Sequence, residues 1–245
     1  MTDKLRTQQK KMIIDQRHEA WESLARKLAH EIKNPLTPIQ LTIDKLKNKY
    51  SDLIKIDQKE DFAKSLKIII KQINLIENLV NEFSDFARMP KPILKDNDLV
   101  SLVKDNINLI RELDQNISIN FKYSANAIIL NSDNEQLSRV FFNIIKNSIE
   151  SIQEKRLNNI NINGKIDIIL NEDVSDINFV IIDNGLGFDK FKDKLKDILN
   201  PYFTTKKKGT GLGLAIVNKI INDHNGSIEF IKIESGAKIK IKFIK

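Results

Sequence analysis

The chain has 245 residues, of which 41% are hydrophobic and 30% are charged, a composition typical of one or two folded domains and not of a disordered polypeptide. It contains no cysteine, which excludes disulfides, thiolate metal sites and cysteine nucleophiles. Its 40 Lys and Arg exceed its 33 Asp and Glu and give a net charge of +7, but the basic residues are scattered, so we expect no nucleic-acid partner.

No apolar run in the sequence reaches the roughly 18 residues that a membrane-spanning helix needs. The N-terminal residues Met1 to Arg6 lack the apolar core of a signal peptide. We therefore expect this segment to be cytoplasmic and without membrane contact, although a longer protein could carry a membrane-bound sensor upstream of it.

Two long helical patterns come first, and the polar stretch from Tyr50 to Lys59 is predicted to be the turn between them. In the second pattern apolar residues recur at alternating steps of four and three, the signature of coiled-coil-like packing. That seam consists of Phe62, Leu66, Ile69, Ile73, Ile76, Val80 and Phe83. The seam of the first helix consists of Trp21, Ala25, Leu28, Ile32, Ile39, Ile43 and Leu46. We expect Pro35 and Pro38 to interrupt and bend the first helix. One apolar stripe per helix makes too little core, so we expect dimerisation into a four-helix bundle.

The sequence Met89-Pro90-Lys91-Pro92 predicts a domain boundary, because prolines end the helix and favour an extended linker. Beyond it, β-like runs alternate with helical stretches, which predicts an α+β fold in which a layer of helices covers one sheet. The predicted strands are Ile117–Tyr123, Ile166–Leu170, Ile177–Asp183, Ser227–Ile233 and Lys238–Ile244. The predicted helices are Leu99–Leu113, Asn134–Gln153 and Gly213–Asp223.

His30 is predicted to lie on the solvent side of the first helix, because Leu28 and Ile32 are on the seam and each residue advances about 100° around the axis. A neutral imidazole is a competent nucleophile near pH 7. The adjacent Glu31 can accept a ring proton, and the amide of Asn34, one turn on, can orient a water molecule. The alternative is that a lone exposed histidine is an ordinary surface residue.

The segment Asp183-Asn184-Gly185-Leu186-Gly187 directly follows a predicted strand. Its glycines allow a tight turn and a close approach to a ligand, and a buried aspartate can accept a hydrogen bond from an amino group. The alternative is a simple tight turn, for which Asp-Asn-Gly is well suited.

A second glycine-bearing segment, Gly209-Thr210-Gly211-Leu212-Gly213, immediately precedes an apolar helix. Backbone amides at such a helix start favour an anionic phosphate. The segment is neither a Walker loop nor a dinucleotide fingerprint, since the required spacing and βαβ unit are missing. Lys206–Lys208 add positive charge, although a charge run is usually a solvated face.

Asn143 and Asn147 are four residues apart on the preceding helix and so share a face. Magnesium prefers oxygen ligands and often takes most of them from phosphate and water, so an amide oxygen is a plausible single protein ligand. The alternative is that both are polar residues on the wet side of an amphipathic helix.

Taken in order, these segments resemble the sequence boxes of the sensor histidine kinases of two-component systems. His30 to Pro35 resembles the H box, Asn143 to Asn147 the N box, Asp183 to Phe188 the G1 box, Pro201 to Lys206 the F box and Gly209 to Leu214 the G2 box. Five boxes in the family's order make a specific match. The sequences Asn-Pro-Leu-Thr-Pro-Ile-Gln and Pro-Tyr-Phe-Thr-Thr-Lys are most similar to those of NtrY-like kinases of nitrogen regulation.

The resemblance implies a helical signalling linker at 1–20, a dimerisation and histidine-phosphotransfer domain at 21–88, and a catalytic ATP-binding domain at 89–245 that is an α/β sandwich of the Bergerat (GHKL) type. It implies Mg²⁺- and ATP-dependent autophosphorylation of a histidine within a homodimer. The phosphoryl group would then pass to an aspartate on the receiver domain of a response regulator, and phosphatase activity toward that regulator is also implied.

The same resemblance implies that His30 is the phosphoacceptor and Glu31 its proton-handling partner, and that Asn34 places the water that dephosphorylates the regulator. Asn147 would ligate Mg²⁺, with Asn143 supporting the site. The other implied nucleotide-binding residues are Asp183, which would read the adenine amino group, and Gly185, Gly187, Phe203, Thr204, Thr205, Lys206, Lys208, Gly209, Thr210, Gly211, Leu212 and Gly213. A mobile lid is implied between Phe188 and Lys208.

One departure from the family pattern bears on the chemistry. Many of these kinases carry a lysine three residues after the second N-box asparagine, where this chain has Glu150, so Lys146 or Lys206–Lys208 would have to supply the positive charge.

Two alternative functions are also considered. Gyrase- or chaperone-like ATPases share the glycine boxes but place a catalytic glutamate at the position of Asn143 and lack the histidine hairpin. A dimeric scaffold, or a kinase that acts mainly as a phosphatase, is left open by Glu150.

Overall fold

The computed structural model describes residues 27–50, 56–87, 89–158, 162–188, 195–201, 203–204, 206 and 209–245. The chain divides into two compact units, Met1–Pro90 and Lys91–Lys245. The predicted linker at 1–20 lies outside the described residues, as do Trp21 and Ala25 of the predicted seam. No helix in the described part is long and apolar enough to cross a bilayer.

The first unit contains a helical hairpin. Helix α1 is described over residues 27–50, and α2 is Ile56–Ala87. One face of each helix is buried against the other, and Phe62 and Ile70 pack against the edge of this small core. The core residues are Leu36, Ile43, Leu66 and Ile73.

The buried face of α1 differs from the predicted seam. Ala29 and Leu36 are buried although neither belonged to that seam, and Ile43 is the one predicted residue in the described part of α1 that is fully buried. The heptad pattern identified the apolar positions, but it could not say which of two adjacent stripes the other helix of the same chain would cover. Apart from its buried residues and the partly buried Phe62 and Phe83, the predicted seam in the described residues forms what we call the exposed apolar stripe: Leu28, Ile32, Ile39 and Leu46 of α1 with Ile69 and Ile76 of α2.

The prediction that prolines interrupt the first helix is wrong, because α1 continues through Pro35 and Pro38. Each proline removes one backbone N–H, which leaves the carbonyl groups of Glu31 and Asn34 without their usual donor four residues on. All four residues are exposed, so water can hydrogen-bond to these carbonyl groups and the helix can continue.

The second unit is an α+β sandwich, as predicted. Its seven strands in the described part are β1 Lys95–Asp98, β2 Ile117–Tyr123, β3 Ile129–Ser132, β4 Gly164–Glu172, β5 Asp176–Asp183, β6 Ser227–Lys232 and β7 Ala237–Ile244. Its helices there are α3 Leu99–Arg111, α4 Asn134–Asn158 and α5 Gly213–Asp223, with a short 3₁₀ helix at Leu195–Leu199.

The five longer strands form one sheet in the order β2-β4-β5-β7-β6, in which β2 and β4 are parallel and the other pairs antiparallel. Buried residues alternate along the central strands, as in Ile177, Phe179, Ile181 and Asp183 of β5, so one face of the sheet is covered. Helices α3, α4 and α5 supply that cover and pack side by side, with α4 in the middle. Asp183 therefore ends a central strand on the buried face, beneath the helical layer.

The hydrophobic core joins α4 to the centre of the sheet. Phe141 of α4 and Phe179 of β5 are fully buried, with their ring centroids 4.7 Å apart. Tilted aromatic pairs at this separation add stabilisation beyond the area they bury. The core thus fixes the helix that carries Asn143 and Asn147 over the strand that ends at Asp183.

A buried histidine joins the ends of two of the covering helices. His224 follows α5, and its Nε2 accepts a hydrogen bond of 2.9 Å from the backbone N–H of Asp133, just before α4. Its Nδ1 lies 2.8 Å from the carbonyl oxygen of Ile220, which can only accept. Nδ1 must therefore carry the proton, and both contacts require the neutral ring.

The predicted elements of the second unit match the observed ones to within a few residues, except that β1 and β3 were not predicted. These two four-residue strands form a separate antiparallel pair. The sequence Lys95 to Asp98 is entirely polar, so it carries no β signal, and its pairing depends on contacts such as the 2.7 Å bond from Asn97 Nδ2 to the Ser132 carbonyl.

Candidate functional site

The second unit contains a cavity between α4, the end of β5 and the segment that precedes α5. Polar residues from all three regions line it, namely Asn147, Ser148, Ser151, Glu154, Asp183 and Lys206, together with the backbone of Gly187. Apolar side chains complete it, including Leu186, Ile198, Leu214, Phe230 and Ile239. An apolar pocket with a few convergent polar groups is the usual form of a small-ligand site.

Asp183 is the most deeply buried acid of this cavity, with 4% of its surface exposed. Burial raises the pKa of its carboxyl, and the hydrogen bond that Oδ1 accepts from the backbone N–H of Gly185, 2.9 Å away, only partly offsets this effect. A buried carboxyl group facing a cavity is suited to accept a hydrogen bond from an amino group of a ligand.

Side chains of α4 hold the turn that follows Asp183. Ser151 Oγ accepts a 3.0 Å bond from the N–H of Leu186, and Lys155 Nζ donates to the carbonyl of Asn184 at 2.8 Å. Lys155 also bonds Ser235 Oγ at 3.2 Å, in the turn between β6 and β7. One helix therefore fixes the positions of both turns at this end of the sheet.

Gly187 and Gly236 meet where these two turns pack together. Gly187 has φ of +70°, and a Cβ at this position would lie 2.4 Å from the carbonyl oxygen of Gly236. Gly236 has φ of +97°, and its Cβ would lie 1.7 Å from the carbonyl oxygen of Asp183. Both positions require glycine for backbone conformation and for space, so the turn at Asp183 can approach a ligand on one side and the hairpin on the other.

The two asparagines predicted from α4 have different neighbours. Asn143 donates from Nδ2 to the Arg139 carbonyl at 2.8 Å, and its Oδ1 lies 3.4 Å from the place that a Cβ on Gly213 would occupy, at the start of α5. Asn147 Oδ1 instead accepts a 3.0 Å hydrogen bond from Lys206 Nζ. The same ammonium group also pairs with a carboxylate oxygen of Glu150.

The glycine-rich segment leads into α5 without a side-chain capping bond from the N-cap residue of that helix. Helix α5 begins at Gly213, and its N-cap residue Leu212 makes no side-chain capping bond. Gly211 has φ of +71°, and Thr210 Oγ1 accepts a 3.2 Å bond from the N–H of Leu212. A helix start that lacks its own cap retains N–H donors and a positive dipole end for an anion.

Four of the residues predicted to bind nucleotide line the cavity: Asn147, Asp183, Gly187 and Lys206. Gly185 lies beside it, bonded to Asp183. The rest of the predicted set in the described part of the chain does not border the cavity. Asn143 lies on α4, and the others lie in the segment leading to α5: Phe203, Thr204, Gly209, Thr210, Gly211, Leu212 and Gly213. Thr205 and Lys208 lie outside the described residues.

Several cavity residues were not predicted from the sequence. Ser148 is 2% exposed, and its Oγ makes no hydrogen bond of good geometry in the described part of the chain, although it is near enough to Asp183 to favour the ionised carboxylate. Ile239 borders the cavity from β7. The strict alternation of buried residues along the predicted final strand would have placed Ile239 on the covered face. Gly236, which packs against Gly187 and does not line the cavity, gave only the signal of a hairpin turn.

The predicted phosphoacceptor lies in the other unit, on α1. His30, Glu31 and Asn34 are all exposed, as the helical spacing predicts for His30. The Glu31 side chain is 59% exposed, with its Oε1 4.0 Å from Lys27 Nζ. An imidazole in this setting is open to solvent and to a reacting partner.

The oxygen donors near Asn147 suit a hard divalent cation. Asn147 and Glu150 are three residues apart on α4 and present an amide oxygen and a carboxylate on one side of the helix. Within the described residues no group of three or more His, Asp or Glu side chains could hold a metal. Mg²⁺ would therefore need further ligands from phosphate and water besides the protein oxygen, as it often does.

Two family models match the chain. Residues 20–92 match the His Kinase A (phospho-acceptor) domain, and residues 132–245 match the model described as Histidine kinase-, DNA gyrase B-, and HSP90-like ATPase. The first match contains His30, and the second contains the cavity with Asp183. Together they define a protein class in which a phosphoacceptor hairpin is joined to an ATPase-type domain.

The relatives are consistent with that class. The chain is 39% identical over 244 residues to an NtrY-like sensor histidine kinase of Rickettsia prowazekii (strain Madrid E). The match includes 99% of this chain and 39% of the length of that protein. It is 39% identical over 218 residues to the nitrogen regulation protein NtrY of Azorhizobium caulinodans. That match includes 89% of this chain and 28% of the length of NtrY. The chain belongs to the sensor histidine kinases of two-component systems and is NtrY-like.

The solved structure of histidine kinase ThkA in complex with the response regulator protein TrrA matches the fold with a TM-score of 0.61. The match covers 91% of this chain and 61% of that one at 24% identity. It confirms the predicted combination of a helical hairpin and a mixed α/β sheet.

Proposed function

We propose that this chain is the catalytic core of a sensor kinase that binds ATP in the Asp183 cavity and autophosphorylates His30. The observation that carries the proposal is that Asp183, Asn147 and Lys206, which come from three separate sequence boxes, border one cavity. The matched family model for residues 132–245 is that of an ATPase, which supports adenine nucleotide as the ligand.

Within the cavity, each group has a role that its chemistry supports. The Asp183 carboxylate accepts a hydrogen bond from the adenine amino group, and Leu186, Phe230 and Ile239 pack against the base. Lys206 and the uncapped amides at the start of α5 face the phosphates. Asn147 would supply an amide oxygen to Mg²⁺, which neutralises phosphate charge when bound. Glu150 pairs with Lys206 and is not proposed as a ligand.

The phosphoryl transfer itself needs a positioned nucleophile more than covalent help from the protein. A ring nitrogen of His30 attacks the terminal phosphorus of ATP, the bond to the bridging oxygen breaks, and ADP leaves. Glu31 accepts the proton that the ring gives up or holds the other ring N–H in position. Asn34, one turn along the exposed face of α1, orients the water that hydrolyses the phosphorylated regulator.

The hairpin is proposed to dimerise. The exposed apolar stripe runs along both helices beside the buried face, and a two-helix hairpin buries too little apolar surface to be stable alone. A second copy seated on the stripe would complete a four-helix bundle. This arrangement makes residues 21–88 the dimerisation and phosphotransfer domain and 89–245 the catalytic domain, with 1–20 as the signalling linker.

The partner proposed for phosphorylated His30 is the receiver domain of a response regulator, in the cytoplasm. The ThkA structure contains its response regulator, which supports a partner of this class. The chain spans 39% of the length of the Rickettsia relative. Phosphatase activity toward the same regulator is part of the proposal, because Asn34 shares the His30 face.

The test is to incubate the purified chain with γ-labelled ATP and Mg²⁺ and to examine the stability of the label. Phosphohistidine is labile in acid and stable in base, so we expect label of that kind, transferable to a panel of purified receiver domains. Label that is stable in acid, or ATP hydrolysis with no protein label, would contradict the proposal and favour a serine-type kinase or a simple ATPase.

A further inference from the structure

Lys206 has two acceptors on one side of α4. Asn147 and Glu150 are one turn apart on that helix, and both bind the same ammonium group, Asn147 at 3.0 Å. Lys206 comes from a part of the chain 56 residues beyond Glu150, so this contact joins the segment before α5 to the helix across the cavity. Local helix geometry does not produce such a pair, since its members are far apart in sequence.

Glu150 also has a second lysine nearby, which makes the preference for Lys206 informative. Lys146 lies on the same helix, four residues earlier, with its Nζ 3.9 Å from Glu150 and its side chain 47% exposed. Lys206 makes the closer contact and borders the cavity, whereas neither Lys146 nor Glu150 is among the described residues that line it. Glu150 therefore contacts a cavity residue without bordering the cavity itself.

We propose that Glu150 is a positioning residue: it holds the Lys206 ammonium at Asn147, so that Lys206 supplies positive charge to the nucleotide phosphates. The inference rests on the proposed function, because it assumes a nucleotide in the Asp183 cavity. A lysine side chain loses rotamer entropy when it is fixed, and a carboxylate that fixes it in advance removes that cost from binding.

The opposite expectation for Glu150 is equally clear. A carboxylate near the phosphates that did not position Lys206 would only repel them, and its neutralisation would tighten nucleotide binding. A positioning role predicts that neutralisation weakens binding. The sign of one substitution therefore distinguishes the two cases.

The experiment measures the dissociation constants of AMP, ADP and ATP by calorimetry, with Mg²⁺ and with a chelator. The variants are Glu150→Gln, Lys206→Met and the two together. Lys146→Met is the matched control, since it removes the other lysine near Glu150. The charge-exchanged variant, Glu150→Lys with Lys206→Glu, restores an ion pair and places the ammonium on α4.

We expect Glu150→Gln to weaken ADP and ATP binding by about three- to tenfold, the range for one ordinary hydrogen bond, and to leave AMP unchanged. Lys206→Met should weaken ADP and ATP binding more, and the double variant no further, because Glu150 acts through Lys206. The charge-exchanged variant should recover part of the loss, and Lys146→Met should change little.

Tighter or unchanged ADP binding by Glu150→Gln, or losses that add in the double variant, would overturn the positioning role while leaving ATP binding in place. An equal loss for AMP would overturn it as well, since it would indicate general damage to the cavity. A wild-type chain that bound none of the three nucleotides would instead contradict the proposed function, and with it this inference.

Discussion

Gly187 and Gly236 pack backbone to backbone, with the place for a Gly187 Cβ only 2.4 Å from the Gly236 carbonyl oxygen. This contact joins the turn after Asp183 to the hairpin between β6 and β7. The Asp183 carboxyl can face the cavity only if that turn keeps its position. The shape of the cavity thus depends on a glycine that lies outside every predicted box.

Gly236→Ala is expected to damage the fold and the pocket together. Its Cβ would lie 1.7 Å from the Asp183 carbonyl oxygen at φ of +97°, so the two turns must separate, at a cost on the order of 2–4 kcal/mol. Urea denaturation and ATP titration measure the two effects. Gly213→Ala is the stability control, since its Cβ would make an ordinary 3.4 Å contact with Asn143. Equal stability of the two variants would contradict the packing described here.

Asp183→Asn is expected to stabilise the nucleotide-free chain at neutral pH and to weaken ATP binding. Burial raises the pKa of Asp183 in the folded protein above its ordinary 3.8. The folded state therefore favours the protonated group, and stability from this residue is lost as pH rises from 3.8 through the folded value. Asparagine keeps an oxygen for the Gly185 N–H but removes the buried charge.

The measurement for Asp183→Asn is the melting temperature with and without ATP, between pH 4 and 8. We expect the variant to melt higher than wild type at pH 7 without ATP, and to lose about 10- to 100-fold in ATP affinity, since an amide also presents a donor to the base. A variant that binds ATP as tightly as wild type would contradict the role of Asp183.

Asp98 is expected to make the second unit sensitive to acid. It precedes α3 and accepts hydrogen bonds from Val100, Ser101 and the distant Ile128 N–H, the last at 3.0 Å. Partial burial alone would raise the pKa of its carboxyl, but these bonds outweigh it and the pKa is lowered. Stability from Asp98 is therefore complete above pH 3.8 and is lost as pH falls through the lower folded value.

Asp98→Ala should cost about 1–2 kcal/mol at pH 7, the range for a lost helix cap, and the difference from wild type should shrink in acid. Chemical denaturation at pH 7 and at pH 3 measures this. Asp105→Ala, at an exposed position on the same helix, is the control and should change stability little. A constant difference between Asp98→Ala and wild type at both pH values would contradict the capping role.

The exposed apolar stripe predicts a dimer that one charge can dissociate. Ile39 lies on the stripe and is 45% exposed in the single chain, whereas Leu41 is 57% exposed but lies on another face of α1. Ile39→Asp would bury an unpaired carboxylate in the bundle, so we expect dimer affinity to fall at least about tenfold, while Leu41→Asp leaves it unchanged. Light scattering after size exclusion gives the mass. A monomeric wild type, or equal effects of the two variants, would contradict the bundle.

Much of the fold could be predicted because the signals were local. The alternation in β5 and β7 and the apolar spacing in α5 fixed those elements to within one residue. The buried face of α1 could not be predicted, because Leu36 and Ile32 are equally apolar and only the position of α2 decides between them. The β1–β3 pair was missed because its stability comes from contacts about 35 residues apart and not from β propensity.

The residues of the candidate site could be predicted from the sequence, but the contacts between them could not. Asp183, Asn147 and Lys206 were predicted separately, and the structure brings them to one cavity. The sequence indicated that Glu150 stands where many related kinases carry a lysine, so that a positive charge is missing at this position. It did not indicate that Lys206 reaches across to pair with Glu150, because that contact depends on how the segment before α5 folds over α4.

The most direct test of His30 as the phosphoacceptor is protein labelling by γ-labelled ATP in the His30→Gln variant, with ATP affinity measured in the same preparation. His30 is exposed on α1, so its replacement should leave the fold and the nucleotide cavity intact. We predict that the variant binds ATP as wild type does and takes up no acid-labile label. Acid-labile labelling of His30→Gln at the wild-type rate would contradict the assignment of His30 as the phosphoacceptor.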